Sequence, residues 1–235
     1  MLDYDGTLSP FVADRANAYP YPGVGGILGR IISSPLNTVV IISGRNALEV
    51  KKLLGLRVPV EIWGGHGMER LLPSGRLIQV PIGEESKDIF NRVENWAKRH
   101  GLEGSMEEKH GSIAFHVRGL GRKKAETILE EATEYLEDVS EDSNLEVDAF
   151  DGGVELRTVG VDKGTVVDKL LQSFGDDMIC SYYGDDLTDE DAFKALNGRG
   201  VSFLVRTELR QTLADVWIIP PDELKRCLSR YILDK

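Results

Sequence analysis

Asp3 and Asp5 stand one residue apart in the stretch Leu2-Asp3-Tyr4-Asp5-Gly6-Thr7-Leu8. Alternate residues of a strand point the same way, so at a strand end both carboxylates can reach one reacting atom from one side. Two carboxylates that close repel, and the pair is tolerable where a cation neutralises it or one member carries a proton. Those are the two conditions of metal-assisted acid–base chemistry. The same residues also suit an Asp-rich turn opening a loop, so the reading depends on what lies downstream.

Three later segments bear on it. In "NTVVIISGR", Val39 to Ile42 form an apolar, β-branched run typical of a buried parallel strand, which stops at Ser43-Gly44-Arg45 before a helical pattern with Ala47, Leu48, Val50 and Leu54 apolar. Ser43 therefore sits where a strand hands over to a helix, and hydroxyl and free backbone N–H groups at such a junction suit a phosphate; Ser and Gly also end many ordinary strands. In "GVDKGTVVDKLL", Lys163 opens a helix whose core face carries Val166, Val167, Leu170 and Leu171. A lone lysine there is by itself ordinary surface. In "MICSYYGDDLTDEDAF", Met178 to Tyr183 reads as a buried strand, Gly184 permits a tight turn, and Asp185, Asp186 and Asp189 gather where Thr188 can cap a helix running from Asp189. Acidic residues favour helix N-termini, which accounts for Asp189, Glu190 and Asp191. It does not account for Asp185 and Asp186, which precede the helix at the carboxyl end of the strand, where open α/β sheets bind ligands.

The elements that must position these groups follow from changes in periodicity. From Asp3 to about Gln79, strand-like and helical runs alternate: "GVGGILGRIIS" as a helix, "TVVIIS" as a strand, "ALEVKKLLG" as a helix, "VEIWGG" as a strand, and "ERLLPSGRLIQV" as a hairpin around Pro-Ser-Gly. Alternating β and α units imply a parallel sheet with helices on both faces. From about Val80 to Leu156 the order becomes helix, strands, helix, strands. Ile89, Phe90, Val93, Trp96 and Ala97 mark one amphipathic helix, and Ala125, Ile128, Leu129, Ala132, Tyr135 and Leu136 another. Between them "SIAFHVR" alternates, and "LEVDAF", an Asp151-to-Gly153 turn and "VELRT" complete a small sheet with helices on its apolar face. We read the polar face, carrying Lys109, His116, Arg118, Glu155 and Arg157, as a roof over the active site; an ordinary wet sheet face is the alternative.

At 235 residues and 41% hydrophobic, the chain can bury a substantial core and hold one large domain with an insertion. A formal charge of −11 argues against nucleic acid or an anionic membrane surface as partner. A phosphate ester would then need a locally cationic site. Cys180 and Cys227, far apart in apolar patterns, read as reduced core or near-core thiols. With no membrane-length apolar run and no visible signal peptide, the expected location is cytoplasmic, and no obligate protein partner is evident.

With all four segments in hand, the chain resembles the haloacid-dehalogenase superfamily of phosphohydrolases. The motifs match in order: Asp-x-Asp-Gly-Thr at Asp3 to Thr7, Ser or Thr at Ser43, Lys at Lys163, and Gly-Asp-Asp-x-x-Asp at Gly184 to Asp189. "LDYDGTLSP", "ISGR", "GGHG", "EEKHGSIAFHVR", "ELR", "DKG" and "GDDLTDEDAF" narrow the resemblance to trehalose-6-phosphate phosphatases, over nearly the whole chain. The resemblance implies an α/β fold with a doubly wound parallel-sheet, Rossmann-like core (residues 1–79 and 157–235) and an inserted α+β cap domain (80–156). It implies a Mg²⁺-dependent phosphatase acting on a small-molecule sugar phosphate, trehalose 6-phosphate.

In that reading Asp3 is the nucleophile that forms an aspartyl phosphate, and Asp5 is the general acid and base. Ser43 and Lys163 grip the transferring phosphoryl oxygens. Mg²⁺ is held by the Asp3 carboxylate, the Asp5 backbone carbonyl and Asp185, while Asp186 and Asp189 hold metal-bound waters or orient Lys163. Thr7 steadies the loop or the nucleophile and, with Arg45 and His66, belongs to the substrate-binding set. The cap positions matching the family's sugar-binding residues are Glu107, Lys109, Arg118 and Glu155. Rivals are a phosphatase for another sugar phosphate (sucrose phosphate, mannosyl- or glucosyl-phosphoglycerate), a sugar phosphomutase, or a non-catalytic member. One departure stands out: only Met1 and Leu2 precede Asp3, so the central strand reads as cut short, with fewer ladder bonds to hold the nucleophile.

Overall fold

A computed structural model of the chain describes residues 1–12, 14–141, 143–150, 152–175 and 177–232. They fall into two compact units, Met1–Ile78 with the stretch from Asp162 onward, and Gln79–Val161. In chain order the elements are α1 (Val24–Ile32), β1 (Val40–Ile42), α2 (Ala47–Leu54), β2 (Glu61–Gly64), β3 (Glu69–Leu71), β4 (Leu77–Gln79), α3 (Glu84–Arg99), β5 (Met106–Lys109), β6 (Ser112–His116), α4 (Arg122–Ser140), β7 (Leu145–Phe150), β8 (Gly153–Thr158), α5 (Lys163–Phe174), β9 (Cys180–Gly184), α6 (Glu190–Leu196), β10 (Gly200–Val205), β11 (Val216–Ile218) and α7 (Asp222–Ser229). Among the described residues no helix is long and apolar enough to cross a membrane.

The first unit is an α/β fold built on a parallel sheet. β11, β10 and β9 pair in parallel on one side, β1 and β2 on the other, and β3 runs antiparallel to β2. Met1 to Asp3 lies between the halves. Leu2 N–H donates to Val40 C=O at 2.9 Å and Leu2 C=O accepts from Ile42 at 2.9 Å, while Asp3 N–H donates to Tyr183 C=O at 2.8 Å and Met1 C=O accepts from Tyr183 at 3.1 Å. The stub pairs through Leu2 alone, yet it is bonded along both edges, so the short first segment still seats Asp3 at the middle of the sheet.

Period-two alternation splits the core into two layers. Leu2, Tyr4, Ile41, Ile62, Tyr183 and Val205 pack on one face with Val24, Leu28 and Ile31 of α1 and Val50, Leu53 and Leu54 of α2. Val40, Ile42, Trp63 and Tyr182 pack on the other with Val166, Val167, Leu170 and Leu171 of α5 and Phe193 and Leu196 of α6. Each fully buried side chain of this size contributes roughly 1.5–3 kcal/mol, against about 1 kcal/mol net for a ladder hydrogen bond. Packing, more than pairing, therefore holds the central strands.

Two local expectations shift. The strand expected from Met178 begins at Cys180, because pairing with β10 starts at the register Cys180 with Gly200 and leaves Ile179 95% exposed. The cap expected at Thr188 falls instead on Asp186, whose side chain accepts from Leu187 N–H, because a 3₁₀ turn from Leu187 to Asp189 precedes α6.

In the second unit β5, β6, β8 and β7 form an antiparallel sheet in that order. Ile113, Phe115, Val154 and Leu156 turn to one face and bury against Phe90, Val93 and Trp96 of α3 and Ala132 and Leu136 of α4. The turn expected at Asp151 to Gly153 begins outside the described residues; Gly152, at φ +99°, takes the left-handed conformation glycine allows.

Candidate active site

The first unit brings Asp3, Lys163, Asp185 and Asp189 together from three points of the chain. Asp3 ends the central stub. Lys163 opens α5, whose N-cap Asp162 accepts from Thr165 N–H in a capping box. A cation at a helix N-terminus opposes the helix dipole, and here two carboxylates outweigh that: Lys163 Nζ lies 2.7 Å from Asp3 Oδ1 and 2.7 Å from Asp189 Oδ1. All three are nearly solvent-free, Lys163 and Asp3 at 3% exposure and Asp189 at none.

Asp189 is the keystone of the β9 end. Its Oδ1 accepts from Tyr182 OH at 2.6 Å as well as from Lys163, and its Oδ2 accepts from the backbone N–H groups of Asp185 and Asp186, each at 3.0 Å. Gly184 is required beneath it, since a Cβ there would lie 2.4 Å from Asp189 Cγ. With four hydrogen bonds, both oxygens of Asp189 are engaged. Asp185 differs: Oδ1 accepts from Thr7 Oγ1 at 3.3 Å, while Oδ2 is buried without a hydrogen-bond partner among the described residues.

A buried carboxylate oxygen without a donor is costly, and the charges here do not balance. Burial pushes the Asp3 carboxyl up to about 7, with Lys163 pulling it down and Asp189 and Asp5 pushing it further up. Burial, then Asp3 and Asp189, hold Asp185 well above the usual carboxylate range. Burial alone would lower the Lys163 ammonium, but Asp189 and Asp3 raise it instead. Three buried carboxylates share one lysine. Carboxylate oxygens of Asp3, Asp185 and Asp189 lie within 4.8 Å of one another, and an all-oxygen set suits a hard divalent cation. The cluster fits a metal ion, with Asp185 Oδ2 as the oxygen that has capacity for it.

Asp5 has a different partner, Arg45. Its Oδ2 accepts from Arg45 Nε at 2.6 Å and its Oδ1 from Arg45 Nη2 at 2.8 Å, a two-pronged pair, and its side chain is 28% exposed. Arg45 is 1% exposed, and its Nη1 donates to Arg15 C=O at 2.9 Å and to Glu49. Ser43, also buried, accepts from Arg45 N–H at Oγ, 3.1 Å away. His66 follows the strand end in "GGHG" with φ 56°, the one positive φ outside glycine among the described residues. Its N–H donates to Ser43 C=O at 2.9 Å, and its Nε2 would be 2.5 Å from a Cβ on Gly44. Asp186, expected near a metal, serves as the cap of the following turn.

Sequence reasoning overlooked Tyr182, Glu49 and Arg210. Arg210 donates to the carbonyl of Asp186 at 2.7 Å and pairs with Glu190, bracing the acidic turn. Tyr182 read only as a core residue, and its hydroxyl was the available signal. Arg210 sits in a loop with no motif, and nothing local points to it.

The second unit carries its own polar face. Lys109 Nζ lies 2.5 Å from Glu155 Oε1, both 4% exposed, and Ser112 Oγ donates to the same oxygen at 2.6 Å. His116 Nε2 is 2.6 Å from Glu107 Oε2, and Arg157 pairs with Glu146 and Asp148. Arg118 lies alongside Gly152, where a Cβ would come within 3.2 Å of its Nε.

A family model described as "Trehalose-phosphatase" matches residues 1–212. "Trehalose-phosphate phosphatase B" of Arabidopsis thaliana is 29% identical over 98% of this chain and 65% of its own length. "Trehalose-phosphate phosphatase" of Mycobacterium marinum is 30% identical over 87% of this chain and 53% of its own. The C-terminal domain of Candida albicans trehalose-6-phosphate phosphatase superposes with a TM-score of 0.82 at 25% identity, covering 98% of this chain and 91% of that one. The chain spans between 25% and 65% of the length of the first curated relatives it matches. A match over residues 1–212 takes in every motif, from the acidic pair to the Gly-Asp-Asp cluster, and the chain belongs to the trehalose-phosphatase family.

Proposed function

We propose that this chain hydrolyses trehalose 6-phosphate to trehalose and phosphate, with Mg²⁺ as cofactor and an aspartyl phosphate on Asp3 as intermediate. The observation that carries the reading is the buried meeting of Asp3, Lys163 and Asp189 beside an Asp185 oxygen with capacity for a cation. The names of the relatives supply the substrate.

Asp3 Oδ attacks phosphorus and the bond to the sugar oxygen breaks, giving the aspartyl phosphate. Asp5 hands its proton to the departing sugar oxygen, then takes one from the water that releases phosphate. Lys163 and Ser43 stabilise the phosphoryl oxygens as negative charge gathers there. Asp3, the Asp5 carbonyl and Asp185 would hold Mg²⁺, with Asp189 and Asp186 supporting them; when bound, the ion neutralises charge on the phosphoryl group. We assign recognition of the sugar to Glu107, Lys109, Arg118 and Glu155, and count His66 in the substrate-binding set. The free thiols Cys180 and Cys227 suit a reducing, cytoplasmic setting.

Phosphate release from a panel of sugar phosphates, with and without Mg²⁺, tests the proposal. Mg²⁺-dependent release fastest on trehalose 6-phosphate, abolished in Asp3→Asn, is the expected result. Faster turnover of sucrose phosphate or a glycosyl-phosphoglycerate would replace the substrate and keep the chemistry. Full turnover by Asp3→Asn would remove the nucleophile assignment.

A further inference from the structure

We propose that Arg45 is a positioning residue that acts through Asp5, and not a ligand of the substrate phosphate. The inference rests on Asp5 being the acid and base of the reaction above.

The geometry is that of a clamp. Nε and Nη2 of Arg45 present the edge of the guanidinium to both oxygens of Asp5, at 2.6 and 2.8 Å. A fork on both oxygens fixes the rotation of the carboxyl group as well as its place. The clamp is itself held: Nη1 binds the carbonyl of Arg15 at 2.9 Å and the carboxylate of Glu49 one helical turn on, and the guanidinium carbon stands 6.0 Å from the centre of the Tyr4 ring. At 1% exposure Arg45 is the largest fully buried side chain among those described. Every nitrogen of its head group is therefore engaged by protein.

Asp5 needs such help. It lies past the end of the central stub, in a loop closed by hydrogen bonds from Leu8 and Ser9 N–H to Tyr4 C=O. Its side chain is 28% exposed, against 5% for Asp3. A carboxyl on such a loop has rotational freedom that would scatter the direction of proton transfer, and misplacement by about 1 Å can cost on the order of 100-fold in rate. In the first step the Asp3 oxygen bonds to phosphorus, the phosphorus–sugar oxygen bond breaks, and the sugar oxygen takes the proton of Asp5. In the second, a water oxygen bonds to phosphorus, the bond to Asp3 breaks, and Asp5 takes the water's proton. Both transfers pass through the carboxyl that Arg45 aims. The fork leaves each oxygen of Asp5 a second lone pair for them.

Leaving-group dependence separates this role from phosphate binding, since 4-nitrophenolate leaves without a proton and a sugar alkoxide does not. The test compares the parent chain with Arg45→Gln, Arg45→Lys, Asp5→Asn and the Arg45→Gln/Asp5→Asn pair. Its readouts are steady-state turnover of trehalose 6-phosphate and the rapid nitrophenolate burst from 4-nitrophenyl phosphate. Arg45→Gln is expected to lower kcat on trehalose 6-phosphate by about 100-fold, within the range that general acid–base catalysis supplies, with KM within about threefold and the burst largely kept. Arg45→Lys retains the charge without the fork, keeps the fold if Arg45→Gln does not, and is expected to show the same split at about tenfold. The pair should be no slower than Asp5→Asn alone, to within about threefold, as for residues that act as a unit. A rise in KM with kcat kept, an equal loss of burst and turnover, or multiplicative losses in the pair would overturn the proposal while leaving the acid–base role of Asp5 intact. Full activity of Asp5→Asn would overturn that role, and the proposal with it.

Discussion

A Cβ on Gly6 would stand 2.2 Å from Asp185 Oδ2, the buried carboxylate oxygen that has no hydrogen-bond partner among the described residues. The first and last motifs thus meet with no room for even a methyl group. Gly6 also has φ +83°, a conformation that favours glycine. Gly6→Ala should therefore strain the loop and push Asp185 aside. A loss of more than about 1 kcal/mol is expected in urea unfolding, together with loss of the rise in Tm that Mg²⁺ gives the parent. An alanine variant with unchanged Mg²⁺ response would show that Asp185 does not hold the ion.

Lys163 is the sole cation hydrogen-bonded to both Asp3 and Asp189 among the described residues. Lys163→Met leaves two buried carboxylates unpaired, a change that typically costs about 3–5 kcal/mol. Protonation relieves the repulsion, so the deficit should be larger at pH 8 than at pH 5. Chemical denaturation at the two pH values measures it.

Asp3 is held at about 7 in the folded chain against an ordinary 3.8, and Asp185 is displaced in the same direction. Between those values the folded state keeps the proton and the unfolded state has released it, so these groups make stability fall as pH rises. In chelator-treated protein the Tm should drop from pH 5 to pH 8 more steeply than in Asp3→Asn. Mg²⁺ binds the ionised acids and should raise Tm more at pH 8 than at pH 5. A flat difference between parent and variant would refute the coupling.

In the second unit, Lys109 and Glu155 form a pair 4% exposed on each side. Glu155→Leu removes one half of this buried ion pair and should destabilise by about 3–5 kcal/mol, while Lys109→Met/Glu155→Leu should recover most of it. If the pair also recognises the sugar, the double variant loses turnover on trehalose 6-phosphate by at least about tenfold more than on 4-nitrophenyl phosphate. Equal losses on both would remove the pair from recognition.

The order of elements as far as α6, the core faces of α3, α4 and α5, and the short motifs that hold Asp3, Lys163, Asp185 and Asp189 were legible in the chain, because periodicity and short motifs are local properties; β10, β11 and α7 carry no such motif and were not read. The partners of those residues were not. Asp3 and Asp5 were read as a pair facing one atom, whereas folding hands Asp3 to Lys163 and Asp5 to Arg45, 160 and 40 residues away. Tyr182 read as core, and only the turn after β9 puts Asp189 within reach of its hydroxyl. Which cation meets which carboxylate depends on how β9, α2 and α5 pack at the end of the sheet, and on which groups that packing removes from water. A sequence records the charges; burial decides which of them must find a partner.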